Sequence, residues 1–167
     1  MNSKKIGIVM GSNSDLPIMK EAMSILNEFE VDFDLNIISA HRTPERAHSY
    51  ALEAEKKYAV IIAAAGGAAH LAGVIASLTP IPVIGVPMQT SGLGGLDSLL
   101  SMVQMPSGVP VSTMSIGKSG AINAALLAIQ IISIADTNLR DKIVMFKKKL
   151  SDEVLRKDAE IRKELGS

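Results

Sequence analysis

No cysteine occurs in the 167 residues, which excludes disulfides, thiolate metal sites and a cysteine nucleophile together. Tryptophan is also absent, and only 2 tyrosines and 3 phenylalanines occur, so the core is aliphatic and a stacked flavin would find few partners. Net charge is missing too: 17 basic side chains balance 17 acidic ones, leaving no broad cationic field for nucleic acid or anionic lipid. An anionic ligand must then be gripped locally, by a few placed groups. No apolar run is long enough for a bilayer, because the most apolar stretch, 121–135, is short and contains Asn123, Gln130 and Ser133. The opening Met1-Asn2-Ser3-Lys4-Lys5 leads into an apolar run ending at Gly11, too short for a secretion signal, so the expectation is a soluble cytoplasmic protein.

What the chain does have is apolar residues, 47% against 20% charged. Two accounts fit that excess: surface buried between subunits, or an alanine-rich core. Apolar runs rich in Ile and Val at 5–10, 33–39, 59–65 and 82–86 read as strands, with a weaker fifth at 111–116. Helical patterns at 17–29, 44–57, 70–78 and 95–105 alternate with them. Continuous apolar strands mean that both sheet faces are covered. The alternation implies right-handed crossovers and a parallel sheet between two helical layers, an α/β three-layer αβα sandwich. The spacing predicts one domain over 1–167, with a buried helix at 119–135 and a long C-terminal helix at 137–165. That last helix carries Leu139, Ile143, Phe146, Leu150 and Val154 at three- and four-residue steps, and its length suits packing on a neighbouring subunit.

Ligands in such sheets bind beyond the carboxyl ends of the strands, which directs attention to the loops at 11–15, 39–44, 66–70 and 87–95. In the first, Gly11 permits a tight turn and Ser14 or Asp15 can cap the following helix, while Ser12, Ser14 and the helix amides could cradle phosphate. The second, Ser39-Ala-His-Arg-Thr-Pro44, asks more than capping, for which Thr43 alone suffices. Arg42 can grip phosphate with two parallel hydrogen bonds, and His41 brings the side-chain type that changes charge near neutral pH. The third loop has seven successive residues no larger than alanine, 63–69, before the imidazole of His70. Such a wall lets a flat ligand lie against backbone, although tight strand–helix packing would use the same residues. His48, on the second helix, reads as a surface histidine. Gly117-Lys118-Ser119 is not a nucleotide P-loop, because Ser112 stands where that pattern needs glycine, and Ser119 reads instead as a helix cap. No GxGxxG follows a strand, and no His and carboxylate spacing suits zinc.

Taken together, Gly-Ser-x-Ser-Asp at 11–15, Ser-Ala-His-Arg-Thr-Pro at 39–44 and Ala-Gly-Gly-Ala-Ala-His-Leu at 65–71 resemble the PurE family of purine biosynthesis. Asp97-Ser-Leu-Leu-Ser, Val103-Gln-Met-Pro106, Gly117-Lys118 and Asn123-Ala-Ala-Leu126 match further on, so the resemblance runs over about 5–135. It implies a flavodoxin-like parallel sheet, a homo-octamer with sites shared between subunits, and no metal or organic cofactor. The implied substrate is an aminoimidazole ribonucleotide, whose carboxyl group moves from the exocyclic nitrogen to ring carbon 4. By the same resemblance Arg42 and Ser12 bind the phosphate, Ser39 adds a hydrogen bond there, and Asp15 takes the ribose hydroxyls. Gly66 and Leu71 join them as substrate-binding residues, and His41 and His70 face the imidazole and its carboxyl. Leu16 and Ala72 depart from the residues common in the family, Trp and Pro. A related branch carboxylates the ribonucleotide directly with CO2 and lacks the Ala-Ala-His ending, so His70 favours the mutase branch, class I.

The chemistry fits the composition. A carbamate expels CO2 where its carboxylate is poorly hydrated, and the methyl-sized wall offers such a place. A held CO2 can then be attacked by ring carbon, while one imidazole moves the protons. His41 as proton shuttle and His70 orienting the carboxyl is one assignment; the reverse is open from sequence. Among rivals, a flavin electron carrier lacks aromatics and a response regulator lacks an acidic pair after strand one. A non-catalytic binding module would not need two histidines.

Overall fold

The computed structural model describes residues 5–165. Positions 1–4, which belong to the opening read for a secretion signal, and 166–167 lie outside the described residues. The strands are β1 (Lys5–Met10), β2 (Phe33–Ile37), β3 (Tyr58–Ala65), β4 (Val83–Pro87) and β5 (Ser112–Thr113), all parallel in the order β2-β1-β3-β4-β5. The helices are α1 (Leu16–Glu28), α2 (Pro44–Lys57), α3 (Leu71–Ala76), α4 (Leu96–Val103), α5 (Lys118–Ile132) and α6 (Thr137–Glu164).

Residues 5–132 form one compact unit. In it β3 is central and nearly all buried, as its unbroken apolar run requires, whereas edge strand β2 leaves Leu35 and Ile37 exposed. Helices α1 and α5 cover one face of the sheet, and α2, α3 and α4 cover the other. Helix α2 turns Ala47, Ala51 and Ala54 inward at i, i+4, i+7, and α5 buries Ala121, Ala124, Ala125 and Ala128. Small side chains bring both helices close to the sheet, so much of the alanine excess is spent inside the domain. Strand β5 is shorter than the 111–116 expected: Met114 N donates to Gly85 O at 2.8 Å and Gly117 N to Pro87 O at 2.9 Å, but the residues between are not regular strand, and the chain turns at Gly117, with φ of 74°. Helix α5 starts at Lys118, so Ser119 lies within its first turn and does not precede it as a cap.

Residues 133–165 are a second compact unit, built on the 28-residue α6. The Asp136 carboxylate caps it by accepting from Leu139 N at 3.0 Å. Four i,i+4 pairs, among them Lys148–Asp152 and Arg156–Glu160, run along its polar face. Among the described residues no helix is long and apolar enough to cross a membrane.

The strand order decides where a ligand can sit. From β1 the chain crosses to β2 on one side, then returns to β3 on the other, so the crossovers diverge above the β1–β3 junction. A crevice opens at that switch point, between the first and third loops.

Candidate active site

The loops after β1, β2, β3 and β4 line one cleft of about 610 Å³ at this crevice. Gly11, Ser12, Ser14 and Asp15 come from the first loop, and Ser39, Ala40, His41 and Arg42 from the second. Ala65, Gly66, Gly67, Ala68 and Leu71 form the small-residue wall, and Met88, Gln89 and Thr90 close the far side.

In the first loop a single 3-10 turn at Asn13–Asp15 precedes α1. Its cap is Ser12, whose Oγ accepts from Ser14 N at 3.2 Å, while Asp15 makes no side-chain capping bond to α1. Ser12 thus caps the 3-10 turn, and neither Ser14 nor Asp15 gives α1 a side-chain cap. The Ser14 hydroxyl lies 2.9 Å from Ser12 Oγ and 3.2 Å from Asp15 Oδ1, linking the three side chains. Burial pushes the Asp15 carboxyl above the usual carboxylate range, against the Ser14 and Ser12 hydrogen bonds that favour its charge.

The second loop is tied around Ser39. Thr43 Oγ1 donates to Ser39 O at 2.9 Å and accepts from Ser39 N at 3.1 Å, so its hydroxyl closes the loop and does not cap α2. Arg42 N and Nε both donate to Ser39 Oγ, at 3.2 and 3.3 Å, which leaves the serine's own proton to point elsewhere. Arg42 Nη2 reaches across to Gly11 O at 3.2 Å, so the guanidinium bridges the first and second loops. Of its five N–H groups, one is given to Ser39 Oγ and one to Gly11 O, leaving three for an anion.

His41 and His70 meet. His41 Nε2 lies 2.9 Å from His70 Nδ1, with the rings edge to face at 74°. His41 lines the cleft, and His70, exposed at the start of α3, stands beside it and engages its ring. With Nε2 occupied, Nδ1 is the His41 nitrogen left for a ligand. Gly66 and Leu71 both line the cleft, Leu71 buried and Gly66 exposed. His48 is exposed on α2 and outside the cleft. Lys118 pairs with Glu21 of α1 at 2.8 Å, so the Gly117-Lys118 match is a turn and a surface ion pair.

The sequence expectations for Ser12, Asp15, Ser39, His41, Arg42, Gly66 and Leu71 thus come together in one cleft, and His70 joins through His41. Missed were Ala40, Met88, Gln89 and Thr90. The fourth loop had been singled out by topology, yet nothing in its residue types marked which of them face a ligand. Among the described residues no group of three or more His, Asp or Glu could hold a metal ion. The arrangement offers an anion grip at one end, a histidine pair beside it, and an apolar wall opposite.

The family model described as AIR carboxylase matches residues 5–153. A Pyrococcus abyssi protein named N5-carboxyaminoimidazole ribonucleotide mutase is 59% identical over 144 residues, covering 86% of this chain and 82% of that one. A Mycobacterium tuberculosis protein of the same name is 53% identical over 163 residues, covering 97% of this chain and 92% of its own. Among solved structures, that of Treponema denticola PurE superposes with a TM-score of 0.85 at 27% identity, over 94% of this chain and 98% of that one.

Proposed function

The chain belongs to the AIR carboxylase family, and from that premise we propose that it is an N5-carboxyaminoimidazole ribonucleotide mutase of purine biosynthesis. It moves the carboxyl group from the exocyclic nitrogen to ring carbon 4. The observation that carries this reading is the meeting of three crossover turns, with Arg42 bonded across to Gly11 and His41 to His70 above the 65–68 wall.

Arg42, Ser12 and Ser39 hold the ribose phosphate, using the donors their internal bonds leave over, and Asp15 takes the ribose hydroxyls. His41 Nδ1 faces the imidazole. In its imidazolium form it protonates the exocyclic nitrogen as the C–N bond breaks, and CO2 departs into the alcove of methyl groups, where water solvates it poorly. Ring carbon 4 then attacks CO2 with its π electrons, forming the C–C bond, and its proton returns to the same nitrogen of His41. One proton goes out and one comes back, so the enzyme is restored without cofactor. His70 shares a hydrogen bond with His41 Nε2, which orients the ring. This gives His70 a part in positioning the shuttle, where sequence alone had left open which histidine moves the proton and which orients the carboxyl.

The assay offers the N-carboxylated ribonucleotide in one arm and its uncarboxylated parent with bicarbonate in the other, following C-carboxylated product by absorbance. Rapid conversion in the first arm supports the mutase. Conversion in the second arm alone marks direct carboxylation instead, and none in either arm leaves a binding module.

A homo-oligomer, an octamer by family resemblance, completes the proposal. Leu96, Leu100 and Val103 form an i, i+4, i+7 stripe on α4 that stays about half exposed in the single chain (49%, 46% and 50%), and on α6 Met145, Val154 and Leu155 are exposed as well. Helix α6 is the element we assign to a neighbouring subunit, and light scattering of the purified protein tests the assembly. Phosphorylated substrates do not cross membranes, which suits a cytoplasmic enzyme.

A further inference from the structure

The Asp97-Ser-Leu-Leu-Ser run on α4 supplies no residue to the cleft, yet it grips the loops that do. Ser98 is fully buried. Its Oγ accepts from Gly67 N at 2.9 Å and donates to Met88 O at 2.7 Å, so one hydroxyl joins the third loop to the fourth. Ser101, one turn on, donates chiefly to Asp97 O of its own helix at 2.7 Å, with Gly67 O a second, longer contact at 3.3 Å. Gly67 is therefore held at its amide by Ser98 and braced more weakly at its carbonyl by Ser101. It sits at φ of 68°, where a side chain would be strained, although no atom lies within 4 Å of where a Cβ would stand. Its glycine serves the turn and not the packing, and Ser98, with a weaker contact from Ser101, keeps that turn in place. Asp97 adds a third tie, its Oδ1 accepting from Thr90 Oγ1 at 2.8 Å in the fourth loop.

We propose that Ser98 and Ser101 are positioning residues for the carboxyl transfer, which clamp the small-residue wall so that CO2 released from nitrogen is retained until ring carbon captures it. The inference rests on the mutase reading above. The competing branch is a leak: the C–N bond breaks, the nitrogen takes the proton from His41, and CO2 escapes before the C–C bond forms. Each leak leaves uncarboxylated ribonucleotide, free CO2 and one enzyme proton to be replaced from water. A loosened Gly67 turn opens the alcove at the seam with Met88, which favours escape over capture. Phosphate binding lies on the first and second loops and is not affected.

The test follows the fate of a radiolabelled carboxyl group on the N-carboxylated substrate, in unlabelled bicarbonate, comparing label kept in product with label lost to solvent. With Ser98→Ala, which removes the hydrogen-bond partner of both Gly67 N and Met88 O, label loss per turnover rises roughly ten-fold, while KM stays within about two-fold. Ser101→Ala raises it about three-fold, and Ser101→Thr, which keeps the hydroxyl, restores the normal value. A purely structural role would lower the folded fraction, and with it kcat, without changing the share of label kept. If Ser98→Ala does not fold by circular dichroism, Ser101→Ala and Ser101→Thr decide. Wild-type label retention in the folded alanine variants overturns the inference and leaves the mutase intact. A wild-type protein that converts no substrate, or exchanges all its label at every turnover, overturns the mutase or trapped-CO2 reading itself.

Discussion

Replacing Arg42 by alanine probes the anion grip directly. The guanidinium gives one N–H to Ser39 Oγ and one to Gly11 O, and the remaining three are free to form a forked pair on a phosphate. In a cleft open to solvent, losing two charge-assisted bonds costs about 2–3 kcal/mol, so KM for the phosphorylated substrate should rise roughly 30- to 150-fold. Little of this is a stability effect, because both protein bonds lost lie at exposed positions and are together worth about 1 kcal/mol or less. Arg42→Lys keeps a point charge without the fork and should recover part of the loss. Raising ionic strength should weaken wild-type binding more than that of the alanine variant, since screening acts on the charge removed. Steady-state kinetics at two salt concentrations, with a thermal melt as control, give all three readings. An unchanged KM in a folded Arg42→Ala protein would refute the phosphate role and, with it, the orientation proposed for the substrate.

Three further outcomes are expected. His41→Asn keeps substrate binding and loses turnover by roughly 10²- to 10⁴-fold, read by calorimetric titration beside kinetics; full activity removes His41 as proton carrier. Asp15 has its folded-state value raised by burial, so the native protein binds that proton more tightly than the unfolded chain does, and stability falls as pH climbs from the ordinary carboxylate range through the raised value. Asp15→Asn should therefore melt above wild type at neutral pH and lose the advantage in acid, and a pH-independent gap in melting temperature contradicts the burial argument. Gly120→Ala drives a Cβ into the Ser115 carbonyl oxygen, a backbone atom that cannot rotate away, and should lower unfolding free energy in urea by about 3 kcal/mol. A near-neutral result means the start of α5 can shift.

Much of this was legible along the chain because it is local. The unbroken apolar run ending at Ala65 needs both sheet faces covered whatever its neighbours, and strand–helix alternation permits little besides a parallel sheet. The site loops were legible for the same reason: His and Arg packed into six residues after a strand exceed what a turn requires. Sequence erred where several residues could do one job, as with Ser12, which caps a 3-10 turn ahead of α1, and the Thr43 hydroxyl that closes its own loop. It erred too at the sheet margin, where only two residues of β5 pair in register with β4.

Only the folded chain decided who meets whom. His41 and His70 are 29 positions apart, and Ser98 and Gly67 are 31 apart, separations at which periodicity carries no information. Strand order joins them: placing β1 between β2 and β3 puts the first and third loops side by side and aims the second at both. That order is set by the combined packing of both helical layers, a sum over distant contacts, whereas the strands and turns themselves are written residue by residue.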